Sequence, residues 1–154
     1  MDIQPCTKAD FDQIVTEIAD FWGSDRTLPL HHPIFLYEFG DTAWVMRDGD
    51  RVAGYLFGFV AATSPTAYVH LVAVRSGYRE RGVPRRLYAR FIDEARRRGA
   101  RQLKAITTPG NRESVAFHTR LGMRLLGEPG PDGIPVVRNY SGPGQDRVVM
   151  IMHL

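Results

Sequence analysis

The sequence predicts an α+β domain: a mixed, mostly antiparallel twisted sheet of about six to seven strands, flanked by about four helices. Three observations carry this expectation. Segments with strand character outnumber helical ones along the 154 residues. Asp48-Gly49 lies between two apolar runs and suits the primed turns of a tight hairpin. A single strand–helix–strand crossover, over residues 68–106, requires one parallel pair in an otherwise antiparallel sheet.

Each element has a local reason. Thr7-Lys-Ala-Asp10 reads as a helix start, and Phe11, Ile14, Val15 and Ile18 recur at helical spacing until Gly23. Residues 24–33, with Pro and His, read as a loop, and a short helix covers Pro33 to Phe39. Thr42 to Met46 and Val52 to Ala62 are strands joined by the hairpin, and Tyr68 to Val74 is a third. Pro84 to Arg98 is helical, with Leu87, Phe91, Ile92 and Ala95 on one face and Gly99 as its stop. Gln102 to Thr107 is a strand, Asn111 to Leu121 a helix ended by Gly122, and Met123 to Leu126 and Val148 to Met152 are strands. Residues 127–146 are dense in Pro and Gly and read as a long loop, a segment type that is usually functional or mobile.

Composition bounds the function. With 44% hydrophobic and 24% charged residues, the chain is an ordinary globular protein expected to form one domain over 1–154. No apolar run reaches the ~18 residues of a membrane helix, and Met1-Asp2 does not begin a signal peptide. Cys6 is alone, which excludes an internal disulfide and suits a reducing cytoplasm. No Cys/His spacing points to a metal. The net charge is +3, and all but Lys8 and Lys104 of the 20 basic residues are Arg. Glu80, Asp93 and Glu94 interrupt the most basic stretch, so a nucleic-acid-binding stripe is the least favoured reading.

Two segments carry chemistry. Arg79-Glu-Arg-Gly-Val-Pro84 joins a strand end to a helix start, where unpaired amides and the helix dipole favour an anion. Gly82 permits close backbone approach, and Arg79, Arg81, Arg85 and Arg86 add charge. About thirty residues on, Asn111-Arg-Glu-Ser-Val-Ala-Phe-His-Thr-Arg-Leu-Gly-Met123 opens a second helix on an Asn and carries a His. Over residues 42–126 the pair resembles the signature of the GNAT superfamily of acyl-CoA-dependent N-acyltransferases.

The resemblance implies that the turn grips the pyrophosphate of coenzyme A. Arg79 and Gly82 match the family's Gln/Arg-x-x-Gly-x-Gly/Ala pattern, and Arg81, Val83, Arg85 and Arg86 complete the site. Pro84 departs from it, replacing the final small residue and removing one amide donor. The resemblance further implies that the backbone of Val72 and Val74 pairs with the pantetheine arm, with the Val74 amide orienting the thioester carbonyl. Asn111, which caps the second helix, and Ser114 are implied contacts to the same cofactor. His118 stands where the family often has a Tyr that protonates the departing thiolate, a task imidazole can perform.

Tyr68, His70, Val72 and Val74 alternate along one strand and are expected to share a face towards the cofactor. His70 is the first candidate base, Tyr68 the second, and Glu38 the acidic alternative. The family places the acceptor near the segment after the first helix and a C-terminal loop, here Trp22, His32, Phe35 and Glu38, with Tyr140 opposite. The expectation is therefore a cytoplasmic N-acetyltransferase using acetyl-CoA and a small primary amine by direct attack. It involves no metal, nucleic acid or membrane, and a homodimer is allowed. The alternative is a non-catalytic acyl-CoA-binding regulatory domain.

Overall fold

Nine strands run along residues 1–154, all described by this computed structural model: Ile3–Pro5 (β1), Ala43–Asp48 (β2), Arg51–Val60 (β3), Thr66–Val74 (β4), Gln102–Thr107 (β5), Arg124–Leu125 (β6), Glu128–Pro129 (β7), Pro135–Val136 (β8) and Val148–His153 (β9). Seven form one sheet in the order β1-β2-β3-β4-β5-β9-β6, and β7 and β8 form a separate hairpin. Only β4 and β5 run parallel, as the crossover requires. The helices are Lys8–Thr16 (α1), Ile18–Trp22 (α2), Ile34–Tyr37 (α3), Val83–Arg97 (α4) and Arg112–Leu121 (α5). None is long and apolar enough to cross a membrane.

The sheet divides two apolar layers. On one face, Phe11, Ile14, Ile18, Phe21 and Phe35 pack on Val45, Tyr55, Phe57 and Leu71. On the other, Leu87, Tyr88, Phe91 and Ala95 of α4 pack on Trp44, Met46, Leu56, Leu103 and Met150, with Val115, Phe117 and Leu121 of α5 at the margin. The helical spacing read from the sequence thus faces the core in both layers.

Three elements depart from expectation. The helix expected to run to Gly23 breaks at Glu17, giving α1 and α2. The buried Arg75 stands at that break. Its guanidinium meets Glu17 at 2.7 Å and Asp20 at 2.8 Å, and also donates to Val52 O and to Gln13. Strand β1 was not anticipated: three residues that include Pro5 carry too little pattern, and proline is tolerated there because the strand is an edge. Residues 127–146 are not a featureless loop, since β7 pairs with β8, Val137 bridges Arg147, and Val136 is buried in the core.

One irregularity matters more than these. Phe57 pairs with Leu71 but Gly58 pairs with Val69, so β4 contains one residue, His70, that β3 does not match. A bulge of this kind reverses the alternation of side chains beyond it. Ala67 and Val69 face α4 before the bulge, and Val72 and Val74 do so after it, while Leu71 and Ala73 join the α1 side. Tyr68 and His70 also lie on the α1 side, against Phe59 and Phe35. The expectation that Tyr68, His70, Val72 and Val74 share one face is therefore corrected, because the extra residue puts them on two.

Gly58 makes the bulge fit. A Cβ there would lie 2.4 Å from Tyr68 O and 2.9 Å from the Phe91 ring. The backbone contact cannot be relieved by a rotamer change. Gly58→Ala is expected to lower stability by about 1–3 kcal/mol in urea unfolding, as overpacking does.

Candidate active site

The bulge opens the sheet. The parallel ladder between β4 and β5 ends at Val69 and Ala105. β5 goes on pairing with β9 as far as Thr107, but residues 70–74 of β4 have no strand on that edge. Arg75 N–H donates to Ala53 O. By alternation, Ala73 and Leu71 bond towards β3, and the N–H and C=O groups of Val72 and Val74 point into the gap. The Val72 and Val74 side chains are half-buried against the α4 layer. α4 follows β4 and α5 follows β5, and the slot left between the two strands has the free edge of β4 as one side.

At the end of that edge lies the basic turn. Glu80 and Gly82 adopt left-handed backbone with φ of 63° and 72°, and Gly82 serves as N-cap of α4. The amides of Arg79, Glu80, Arg81, Gly82, Val83 and Arg85 donate to no acceptor in the protein. Pro84 occupies the first turn and contributes none. A Cβ on Gly82 would meet nothing within 4 Å, so the space over the turn is open. Arg79, Arg81, Arg85 and Arg86 are exposed and form no ion pair, although Arg81 lies over the Tyr78 ring. Such a set of donors and unpaired cations has the chemistry of a phosphate cradle.

The opposite wall is α5. Asn111 caps it by accepting from Ser114 N–H, and its own amide donates to Thr107, which ties the helix to the end of β5. His118 is buried. Its Nδ1 lies 2.7 Å from Ser114 O, and its Nε2 lies 2.6 Å from the Tyr88 hydroxyl of α4. A carbonyl only accepts, so Nδ1 carries the proton and Nε2 accepts from Tyr88. Burial lowers the His118 pKa, with the bond to Ser114 opposing it. This neutral ring has no proton free for the slot, an arrangement unlike the expected donor. Tyr88, which sequence reasoning missed, resembles a core aromatic in every local respect.

On the α1 side, His70 stacks on Phe35 with centroids 4.4 Å apart, and its Nε2–H donates to Leu30 O at 3.0 Å. That fixes the tautomer and leaves Nδ1 with a free lone pair. Burial lowers its pKa, so it is neutral near pH 7. Tyr68 is half-buried with its hydroxyl unpartnered, and burial pushes its pKa up to about 12. Tyr68, Lys104 and Tyr140 line one cavity of about 300 Å³.

The remaining candidates are dispersed. Trp22 donates to Tyr55, whose hydroxyl bonds to His31 at 2.6 Å, so Trp22 and His31 belong to a buried network rather than an open site. His32 is exposed and accepts from Ile34 N–H, and Glu38 is exposed at the end of α3. Phe35 is buried in the α1-side core with its ring against His70. Cys6 is buried, and burial pushes its thiol up to about 12, which leaves it a poor nucleophile.

Comparison with known proteins gives the family and the fold. The profile described as "Acetyltransferase (GNAT) family" matches residues 10–123, and the chain belongs to that family. It is 30% identical over 84 residues to an L-2,4-diaminobutyric acid acetyltransferase of Shouchella clausii, covering 54% of this chain and 47% of that one. The chain thus spans about half the length of that relative. Over 125 residues it is 29% identical to an L-methionine sulfoximine/L-methionine sulfone acetyltransferase of Salmonella typhimurium, covering 77% of this chain and 72% of that one. A solved aminoglycoside 6'-N-acetyltransferase complexed with coenzyme A superposes with a TM-score of 0.67 at 16% identity, covering 99% and 97% of the two chains, and so shares the fold.

Burial of three neutral histidines has a thermodynamic consequence. His31, His70 and His118 all have pKa values lowered mainly by burial. The unfolded chain binds protons near pH 6.5 that the folded one refuses. Stability should therefore be at its plateau above about pH 7 and fall as pH drops through 6.5, by up to about 1.4 kcal/mol per pH unit for each group. Thermal melts between pH 5 and 8 check this, and His118→Gln should reduce the slope in that window.

Proposed function

We propose that this GNAT family member is an N-acetyltransferase that moves an acetyl group from acetyl-CoA to the primary amine of a small molecule by direct attack. The observation that carries the reading is the free edge of β4 leading to a turn whose amides have no partner. Those groups fit the cofactor. Val72 and Val74 offer backbone donors and acceptors along a slot, and Arg79, Arg81, Gly82, Val83, Arg85 and Arg86 offer amides and cations for a diphosphate. Pro84 withholds one donor, and the arginines around it offset that loss. Asn111 and Ser114 set the opposite wall. Acetyl-CoA, when bound, supplies an activated thioester.

The chain's own groups then have distinct tasks. Val74 N–H lies on the slot edge, where it stabilises negative charge growing on a carbonyl oxygen. His70 Nδ1 accepts the proton that the attacking nitrogen sheds as its bond to carbon forms. That proton restores the thiol when the carbon–sulfur bond breaks, so no second acid is required. His118 acts as a positioning residue: bonded to Tyr88 across the slot, it holds α4 and α5 at a fixed separation. The buried Cys6 thiol argues against a covalent acyl-enzyme.

Calorimetric titration with acetyl-CoA, followed by thiol release against a panel of amines, tests the reading. Binding with amine-dependent release is expected. Binding without release from any amine would favour the regulatory domain instead. His70→Gln is expected to lower kcat/KM by about 10²-fold or more and to abolish the acid limb of its pH profile, which in the parent lies below pH 6.5. An unchanged profile would remove His70 from the chemistry.

A further inference from the structure

We propose that the acceptor is an amino acid, with a carboxylate close to the reacting amine, and that Lys104 binds that carboxylate. The inference rests on the acetyltransferase reading and adds the substrate class. Lys104 and Tyr68 are register partners on β5 and β4, just before the strands part. Both side chains turn to the face opposite α4, because their neighbours Ala67, Val69, Leu103 and Ala105 are in the α4 core. They line the cavity of about 300 Å³ together with Ser64, Thr66, Gln102 and Tyr140.

The chemistry of this cavity is one-sided. Lys104 forms no salt bridge, and its Nζ lies 5.0 Å from the centre of the Tyr140 ring. No acidic residue lines the space, whereas hydroxyls and an amide do. The Tyr68 hydroxyl has no partner and, as a phenol, is a donor at neutral pH. A half-buried cation beside free donors attracts a carboxylate and repels a second ammonium. The place is right for a short acceptor. Tyr68 precedes His70 by two residues, about 7 Å along the strand. The Tyr68 and His70 rings lie 6.1 Å apart, so an acceptor whose carboxylate meets Lys104 beside Tyr68 would reach towards His70 with an amine a few bonds away. A polyamine would bring positive charge to Lys104, and the N-terminus of a peptide would bring no carboxylate near it.

The test uses the full chain with saturating acetyl-CoA and measures thiol release from amino acids, their carboxamides, the corresponding decarboxylated amines and short peptides. The free acids should exceed their carboxamides by about tenfold or more in kcat/KM, the worth of one charge-assisted bond. Lys104→Met should erase that preference by raising KM for the acid, Lys104→Arg should retain it, and acetyl-CoA affinity should be the same in all three proteins. Carboxamides, decarboxylated amines or peptides serving as well as the acids would overturn the proposal, as would a preference that survives Lys104→Met. If acetyl-CoA binds but no amino acid gives either release or binding heat, this inference fails while the cofactor site stands. If acetyl-CoA itself does not bind, the acetyltransferase reading fails.

Discussion

β4 carries one residue more than β3 where the two strands pair, and the position of that residue, His70, governs both faces of the sheet. The parallel ladder with β5 stops at Val69, next to the bulge, and a length of strand is left with free N–H and C=O groups. Unpaired strand edges are a liability in most proteins. Here the edge is short, and its Val72 and Val74 side chains are half-buried against the α4 layer. The same bulge sends Val72 and Val74 to the α4 side of the sheet and His70 to the α1 side, against Phe35. In the proposed reaction, one added residue thus separates the groups that would hold the acyl donor from the group that would deprotonate its target. Gly58 is what allows the backbone to come this close.

Two tyrosine–histidine pairs brace the arrangement from either side. Tyr55 with His31 lies under the α1 layer, and Tyr88 with His118 under the α4 layer. In each, Nδ1–H donates to a carbonyl of the local chain and Nε2 lies within hydrogen-bonding distance of a phenol. Both rings are fully satisfied and neutral, which makes them rigid spacers and weak acids. Arg75 does a related job at the end of β4, where it gathers Glu17, Asp20 and Gln13 at the break between α1 and α2. A buried charge held by several partners orders the chain around it even where its net energetic worth is small.

Much of this was legible in the sequence. Helical spacing at Phe11, Ile14 and Ile18 and at Leu87, Phe91 and Ala95 located the faces that pack on the sheet, and Asp48-Gly49 located the hairpin. The turn that opens α4 was readable from Gly82 and its arginines, because a helix start is a local feature. The bulge was not. Tyr68 to Val74 reads as an uninterrupted strand, and only pairing with β3 reveals the extra residue. That is why the shared face failed, and why the partners of His118 could not be foreseen: Tyr88 is thirty residues away and looks like core. The position of Lys104 beside Tyr68 was hidden for the same reason, since it depends on which strand lies next to β5.

In the proposed complex, backbone groups of the β4 edge and the basic turn receive acetyl-CoA. Residue-resolved amide hydrogen exchange, with and without saturating acetyl-CoA, tests this most directly. Slowed exchange is predicted at Val72, Val74, Arg81, Gly82, Val83 and Arg85, with little change at amides on β1 and β2. Unchanged exchange along that edge and turn while the cofactor is bound, or protection confined to another surface, would contradict the account.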